Sequence, residues 1–183
     1  MSFLFNKHNH FNLANIVTFF NIASGIFAIY FLTHQEFFAA ALFAWLAGGF
    51  DIIDGKIARK YNLSTQFGIQ LDSYADFLSF VTAMFIYFAV VDTKEAFLSM
   101  PLVIFAFVYY VISGLRRLIQ FNINADEGKV EKYFTGIPTP LGAILLWLVY
   151  LIYLTGFINE TFVLFMMIVI GYLLNSKIKI PHL

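Results

Sequence analysis

Long apolar runs alternate with short polar segments along most of this chain. The first run, Leu13–Thr33, is long enough to cross a bilayer as a helix, because about 20 apolar residues span the hydrocarbon core. Five later runs predict further membrane helices: Phe37–Phe50, Phe77–Val91, about Ala96–Leu115, about Leu141–Phe157 and about Thr161–Leu174. The pattern therefore predicts an all-α, polytopic membrane protein whose single domain, residues 1–183, contains six transmembrane helices between about residues 13 and 175.

The two ends of the chain are shorter and more polar than these runs. Residues 1–12 mix Phe and Leu with Lys7, His8 and His10, which is typical of a segment at the membrane interface. The first apolar run has full spanning length and no small-residue cleavage motif follows, so we expect no cleaved signal peptide. Residues 175–183 form a short basic tail.

Composition supports the membrane assignment and excludes several functions. The chain is 61% hydrophobic and 12% charged, and a soluble domain could not bury that much apolar surface. It contains no cysteine, which excludes disulfides, a thiolate nucleophile and cysteine-ligated metal sites. Its formal net charge is zero, so nothing in the charge balance favours nucleic acid as a partner.

The basic residues predict the orientation in the membrane. Six crossings place both termini on one side, and every lysine and arginine except Lys94 falls on that side. Because positive residues concentrate in cytoplasmic loops, we expect both termini in the cytoplasm and, for a prokaryote, a location in the cell membrane. The polar ends of several helices would then meet on the cytoplasmic side.

Four aspartates stand in two pairs around the predicted second and third helices. Asp51 and Asp54 are three residues apart, and Asp72 and Asp76 are four apart, so each pair shares one helix face. The polar segment Asn62–Gly68 between them predicts a turn that makes the two helices antiparallel neighbours. We therefore expect all four carboxylates to converge on one small volume.

Carboxylates so close together repel one another unless a cation compensates their charge. Oxygen ligands without a nearby His or Cys favour Mg²⁺, Mn²⁺ or Ca²⁺ over zinc. Two such ions suit phosphoryl chemistry, and Arg59 on the same predicted helix offers forked donors that match phosphate oxygens. The alternative is a solvated cap in which the acids form ion pairs with Lys56, Arg59 and Lys60.

The acids belong to a longer pattern, D-x2-D-G-x2-A-R-x8-G-x3-D-x3-D, filled by Asp51, Asp54, Gly55, Ala58, Arg59, Gly68, Asp72 and Asp76. The pattern resembles the signature of the CDP-alcohol phosphotransferases, membrane enzymes of phospholipid synthesis, at every fixed position. This resemblance implies that an acceptor hydroxyl attacks the β-phosphorus of a CDP-linked lipid and that CMP leaves. It also implies a homodimer.

The same resemblance implies a role for each residue of the pattern. Two Mg²⁺ or Mn²⁺ ions would be held by Asp51, Asp54, Asp72 and Asp76, and Asp76 would also take the proton of the acceptor. In the first helix, Asn15, Thr18, Asn21 and Gly25 resemble the pattern of the phosphatidylserine synthase branch, although Ala14 stands where a proline is usual. The expected CDP-lipid contacts are Asn15, Thr18, Asp54, Gly55, Ala58, Arg59 and Gly68.

Three further segments resemble the phosphatidylserine synthase branch. Asp72–Phe80 is similar to its DSLADxxSF segment, and Tyr133–Pro140 to its FxGLPxP segment. Arg117–Asn122 is similar to its RLARFN run, but Gln120 stands where the branch has a second arginine. The branch implies transfer to L-serine from CDP-diacylglycerol or an archaeal CDP-lipid. The expected acceptor contacts are Arg116, Arg117, Gln120, Thr135, Gly136 and Pro138.

Other interpretations stay open at this point. Glycerol 3-phosphate or inositol phosphate could replace serine as acceptor within the same family. Arg116 and Arg117 could instead reach lipid headgroups and set the topology. Prenyltransferases also use aspartate-rich membrane motifs, but they lack the D-G-x2-A-R core. A cation transporter could place acids in a helix bundle, but it would need a pathway through both leaflets.

Overall fold

The computed structural model describes residues 3–6, 9–79, 100–126, 133–177 and 179–181. These residues form six helices and two short strands: α1 (Leu13–Thr33), α2 (Phe37–Lys60), α3 (Gln66–Ser79), α4 (Met100–Asp126), β1 (Tyr133–Thr135), α5 (Thr139–Leu154), α6 (Glu160–Leu174) and β2 (Lys179–Pro181). The all-α class is therefore confirmed. The chain forms two compact units, residues 1–81 and 82–183, and whether they make one functional domain stays a prediction.

Three of the described helices are long and apolar enough to cross a membrane, namely α1, α2 and residues 100–123 of α4. Helices α5 and α6 are also apolar but have 16 and 15 residues. At a rise of 1.5 Å per residue they reach about 24 and 22 Å, less than the hydrocarbon core of about 30 Å. A polytopic membrane protein is thus supported, and the count of six crossings stays a prediction.

In the first unit, α1 packs against both α2 and α3. Asn12 caps its N-terminus by accepting a hydrogen bond from the Asn15 backbone N–H, so the helix begins where the apolar run begins. Polar side chains three residues apart are buried along its inner face: Asn15, Thr18, Asn21 and Ser24. Small residues allow close packing on the same face, and at Gly25 an added Cβ would lie 3.1 Å from the Leu78 Cβ. The face of α1 that contacts the rest of this unit is therefore polar and small.

Helix α2 carries the first pair of aspartates, as predicted. It continues past the apolar residues through both aspartates to Lys60, because the sequence after Phe50 has no proline and keeps helix-forming residues. The following turn is shorter than predicted, since α3 already begins at Gln66 and includes Gly68. Asn62 takes a positive φ of 52° in this turn, a conformation that asparagine tolerates better than most residues.

In the second unit, α6 packs against both α4 and α5. A Cβ at Gly171 would lie 3.0 Å from a ring carbon of Tyr109, so this glycine lets α4 and α6 approach closely. Strands β1 and β2 pair antiparallel, with Phe134 opposite Ile180. The sheet joins the segment before α5 to the tail after α6.

Several predicted boundaries in this unit were wrong. The fourth helix was expected to end at about Leu115, but α4 continues past its two arginines to Asp126. The fifth helix starts at Thr139 instead of Leu141, since Pro138 is extended and a proline is tolerated in the first turn of a helix. The basic tail, for which no helix or strand was predicted, contains β2. The predicted span Phe77–Val91 lies mostly outside the described residues, as do Lys7, His8 and Lys94.

Candidate active site

The aspartates of α2 and α3 meet as predicted. One carboxylate oxygen from each of Asp51, Asp54 and Asp72 lies within 4.8 Å of the others. Asp76 lies one turn after Asp72 on α3, and its side chain is within hydrogen-bonding distance of Asp51. Oxygens on opposite sides of a divalent cation are about 4–5 Å apart, so this spacing fits a hard metal ion with oxygen ligands. The prediction that the two pairs converge is confirmed.

Two side chains of α1 orient these carboxylates. The Thr18 hydroxyl donates a hydrogen bond of 2.7 Å to Oδ2 of Asp54, and both residues are buried. One turn along, Nδ2 of Asn21 donates a longer bond of 3.4 Å to Oδ1 of Asp51. Partners that fix the rotamer of a metal-binding carboxylate raise its affinity for the ion. The polar stripe of α1 therefore faces the acidic cluster.

Asn15, one turn before Thr18 on α1, contacts residues near the acidic cluster instead of the aspartates themselves. Its Nδ2 donates a hydrogen bond of 3.0 Å to the carbonyl of His10. Its Oδ1 lies 2.9 Å from the position that a Cβ at Gly68 would occupy, so a larger residue at this point of α3 would require the Asn15 side chain to shift. Asn15 thus bonds to the segment before α1 and lies close to the first turn of α3.

The segment before α1 also packs on the turn between α2 and α3. The rings of Phe5 and Tyr61 lie 4.9 Å apart, and those of His10 and Phe67 lie 4.5 Å apart. The backbone N–H of Leu13 donates to the carbonyl of Leu4 at 2.8 Å. The sequence predicted an interfacial segment here but gave no sign of these contacts, because they join residues distant along the chain.

The remaining motif residues lie on the last two turns of α2. The Arg59 guanidinium folds back toward Gly55, where an added Cβ would lie 3.4 Å from Nη1. Ala58 is half-buried, whereas Arg59 is exposed. A small residue at position 55 therefore leaves room for the arginine beside the carboxylates. This arrangement offers a positive group next to a candidate metal site.

The predicted acceptor residues lie in the second unit. Arg117 is buried, and its Nε donates a hydrogen bond of 3.5 Å to the carbonyl of Ile137. Arg116 and Gln120 are exposed on α4. Thr135 is the last residue of β1, and Gly136 and Pro138 lie between β1 and α5. Of the predicted acceptor residues, the structure therefore links Arg117 to the segment that contains Gly136 and Pro138.

Two residues near Arg117 were not among the predicted site residues. Nδ2 of Asn175 donates a hydrogen bond of 2.9 Å to the carbonyl of Ser113, one turn before Arg117. The Ser113 side chain is buried. The only feature of the sequence that could have indicated this contact is an asparagine directly after an apolar helix, and asparagine is common at helix ends.

The chain was also compared with known proteins. It matches the family model of CDP-alcohol phosphatidyltransferase over residues 11–174. An archaetidylserine synthase of Methanothermobacter thermautotrophicus is 34% identical over 175 residues, which are 93% of this chain and 70% of that protein. A CDP-diacylglycerol–serine O-phosphatidyltransferase of Bacillus subtilis is 31% identical over 168 residues, 91% of this chain and 88% of that protein. A protein of the same name from Helicobacter pylori is 30% identical over 174 residues, 92% of this chain and 71% of that protein. With a family match across nearly all of its helices and the aspartates of α2 and α3 gathered at one point, the chain belongs to the CDP-alcohol phosphatidyltransferase family.

Proposed function

We propose that this protein transfers a phosphatidyl or archaetidyl group from a CDP-linked lipid to the hydroxyl of L-serine. The products are phosphatidylserine, or its archaeal counterpart, and CMP. The observation that carries the proposal is the cluster of Asp51, Asp54 and Asp72, whose oxygens lie within 4.8 Å of one another beside Asp76. The names of the similar proteins from archaea and bacteria support serine as the acceptor.

The donor atoms of the cluster fit a divalent cation, since all are carboxylate oxygens at ligand spacing. Asp51, Asp54 and Asp72 would hold Mg²⁺ or Mn²⁺, with Asp76 as a further ligand and two ions in the site. When bound, the ions would neutralise charge on the diphosphate and on the oxygen that leaves with CMP. Thr18 and Asn21 keep two of these carboxylates in position before any ion arrives.

Asp76 is proposed as the base. Its carboxylate takes the proton of the serine hydroxyl while the serine oxygen forms a bond to the β-phosphorus. The bond between that phosphorus and the bridging oxygen breaks, and its electron pair leaves with CMP. A base in this role needs to be within about 3 Å of the hydroxyl, so its place beside the metal ligands matters more than its basicity. Direct displacement requires no protein nucleophile, which agrees with a chain without cysteine.

The CDP part of the donor is proposed to bind on the face of α2 that carries Gly55, Ala58 and Arg59. The small residues leave space beside the carboxylates, and Arg59 offers a forked donor to phosphate oxygens. Thr18 contributes through its bond to Asp54. Asn15 and Gly68, which lie close together at the start of α3, are proposed to contact the CDP-lipid as well.

The acceptor is proposed to bind at the residues of the second unit. Arg117 is suited to the serine carboxylate, because a guanidinium matches a carboxylate with two parallel hydrogen bonds. Arg116, Gln120, Thr135, Gly136 and Pro138 complete the proposed acceptor side. Gln120 stands where the branch carries its second arginine, so Arg117 or Arg116 would have to bind the serine carboxylate without it.

As a member of this family with three long apolar helices among the residues that the structure describes, the chain is an integral membrane protein. A cell-membrane location with both termini in the cytoplasm is proposed from the distribution of lysine and arginine. A homodimer is also proposed, and cross-linking in native membranes tests it.

The test is CMP release by the purified protein in detergent with CDP-diacylglycerol and Mn²⁺ or Mg²⁺. L-Serine, glycerol 3-phosphate and inositol phosphate are compared as acceptors, beside an Asp76→Asn variant. The proposal expects release that depends on serine and is lost in the variant. CMP release that depends only on another acceptor would refute serine as the acceptor. CMP release that is unaffected by Asp76→Asn would refute the role of Asp76 as the base.

A further inference from the structure

The segment between β1 and α5 is held by the C-terminal end of α6. Gly136 has a φ of +81°, and an added Cβ would lie 2.6 Å from the carbonyl oxygen of Leu174 and 3.1 Å from that of Ser176. The backbone N–H of Ile137 donates to the carbonyl of Leu173 at 3.2 Å. Because these contacts involve backbone atoms on both sides, the segment Gly136–Pro138 cannot shift unless the end of α6 shifts with it.

The same segment is tied to α4. The Nε of Arg117 donates to the carbonyl of Ile137, and the side chain of Arg117 is 8% exposed. The guanidinium is therefore oriented by a backbone atom of the segment, and its direction depends on where Ile137 lies. The proposed acceptor residues on α4 and before α5 form one connected group.

Asn175 closes a ring of hydrogen bonds through this group. Its Nδ2 donates to the carbonyl of Ser113 on α4 at 2.9 Å, across 62 residues of sequence. Ser113 lies one helical turn before Arg117, Arg117 bonds to Ile137, and Ile137 bonds to Leu173, which is two residues before Asn175. The ring fixes α4, the segment Gly136–Pro138 and the end of α6 relative to one another.

We propose that Asn175 is a positioning residue for the acceptor, acting by holding Arg117 and the segment Gly136–Pro138 in register. The inference rests on the proposed function, since it assigns these residues to the acceptor side. An asparagine suits the task because its amide N–H₂ reaches a carbonyl on the neighbouring helix. An aspartate of the same shape would place carboxylate oxygens against that carbonyl oxygen and push the helices apart.

Asn175→Asp tests the ring, and the chain offers a matched control. Asn159 lies at the opposite end of α6, where its side chain accepts a hydrogen bond from the Phe162 N–H. Aspartate accepts that bond equally well and is favoured at a helix N-terminus, so Asn159→Asp should leave the protein unchanged. The two variants carry the same substitution on the same helix.

The measurement is CMP release in detergent as a function of serine and of CDP-lipid concentration. Asn175→Asp should raise the KM for serine about tenfold, the usual effect of replacing a buried hydrogen bond by an unfavourable contact, with kcat and the KM for CDP-lipid within about twofold. In an Arg117→Lys background the effect of Asn175→Asp should be smaller than in the wild type, because both changes act on one network. Hydrogen exchange should also become faster at the Ile137 amide.

Several results would overturn the inference. They are a serine KM unchanged in Asn175→Asp, an equal rise in Asn159→Asp, full additivity with Arg117→Lys, and unchanged exchange at Ile137. A fall in kcat together with similar rises in the KM values for serine and for CDP-lipid would indicate a merely structural role of Asn175. This result would also overturn the inference. A wild-type protein without serine-dependent release would instead refute the proposed function, and the inference with it.

Discussion

Replacing Gly136 by alanine tests how tightly the segment before α5 is fixed. Two separate penalties are expected at this position. The φ of +81° disfavours any residue with a Cβ, which costs about 1–2 kcal/mol. The new Cβ would also lie 2.6 Å from the carbonyl oxygen of Leu174, so backbone must move at the end of α6.

The second penalty can be estimated by analogy with overpacked cores. Inserting a methyl group into a filled site costs about 1–3 kcal/mol when the neighbours cannot rotate away, and a helix-end carbonyl has no rotamer to change. The sum for Gly136→Ala is therefore about 2–5 kcal/mol of unfolding free energy. If the segment binds the acceptor, the KM for serine should rise as well.

Gly156 provides the matched control in the turn between α5 and α6. Its φ is +78°, but an added Cβ would meet nothing within 4 Å. Gly156→Ala should therefore carry only the conformational penalty of about 1–2 kcal/mol and leave the serine KM unchanged. The assay is unfolding of each variant by denaturant in mixed micelles, together with serine titrations. Equal destabilisation by the two substitutions would refute the argument from the carbonyl oxygens of Leu174 and Ser176.

Three further predictions concern the first unit. Thr18→Val removes the hydroxyl that donates a hydrogen bond to Asp54 and should weaken the affinity for Mn²⁺, measured by titration, about 10- to 100-fold. Thr33→Val, at the exposed end of the same helix, is the control and should leave the affinity unchanged. Equal affinities of the two variants would contradict the role of the Thr18 hydroxyl. Gly68→Ala should lower the thermal stability, because the new Cβ would lie 2.9 Å from the side-chain oxygen of Asn15. Gly49→Ala, whose Cβ would meet nothing within 4 Å, should leave the stability unchanged or raise it. A larger loss of stability in Gly49→Ala than in Gly68→Ala would be inconsistent with the packing. Removal of divalent cations by a chelator should abolish CMP release, and added Mn²⁺ or Mg²⁺ should restore it; release that persists without metal would exclude the metal-assisted mechanism.

The parts of the structure that were predicted correctly depend on local spacing. Asp51 and Asp54 share a face because they are three residues apart on a helix, and Asp72 and Asp76 because they are four apart. Helix α1 has the predicted bounds because Asn12 is a strong N-cap directly before the apolar run. Such features require only the periodicity of one helix and its caps.

The features that were missed join residues far apart in sequence. The bond from Asn175 to Ser113, the pairing of β1 with β2 and the carbonyl oxygens around Gly136 all depend on how α6 packs against the rest of its unit. Helix α4 also ran further than expected, since nothing in its local sequence stops a helix before Asp126. The bond from Asn15 to the carbonyl of His10 was not predicted either, and the expected contact of Asn15 with the CDP-lipid stays a prediction.

The most direct test of the account is the fate of isotope-labelled L-serine. Purified protein would be incubated in detergent with CDP-diacylglycerol, Mn²⁺ and labelled serine, and both label in the lipid fraction and free CMP would be measured over time. The account predicts that the two rise in a one-to-one ratio and that Asp72→Asn, which removes a carboxylate from the cluster, abolishes both. CMP formed without label in the lipid, or label transferred at the normal rate by Asp72→Asn, would contradict it.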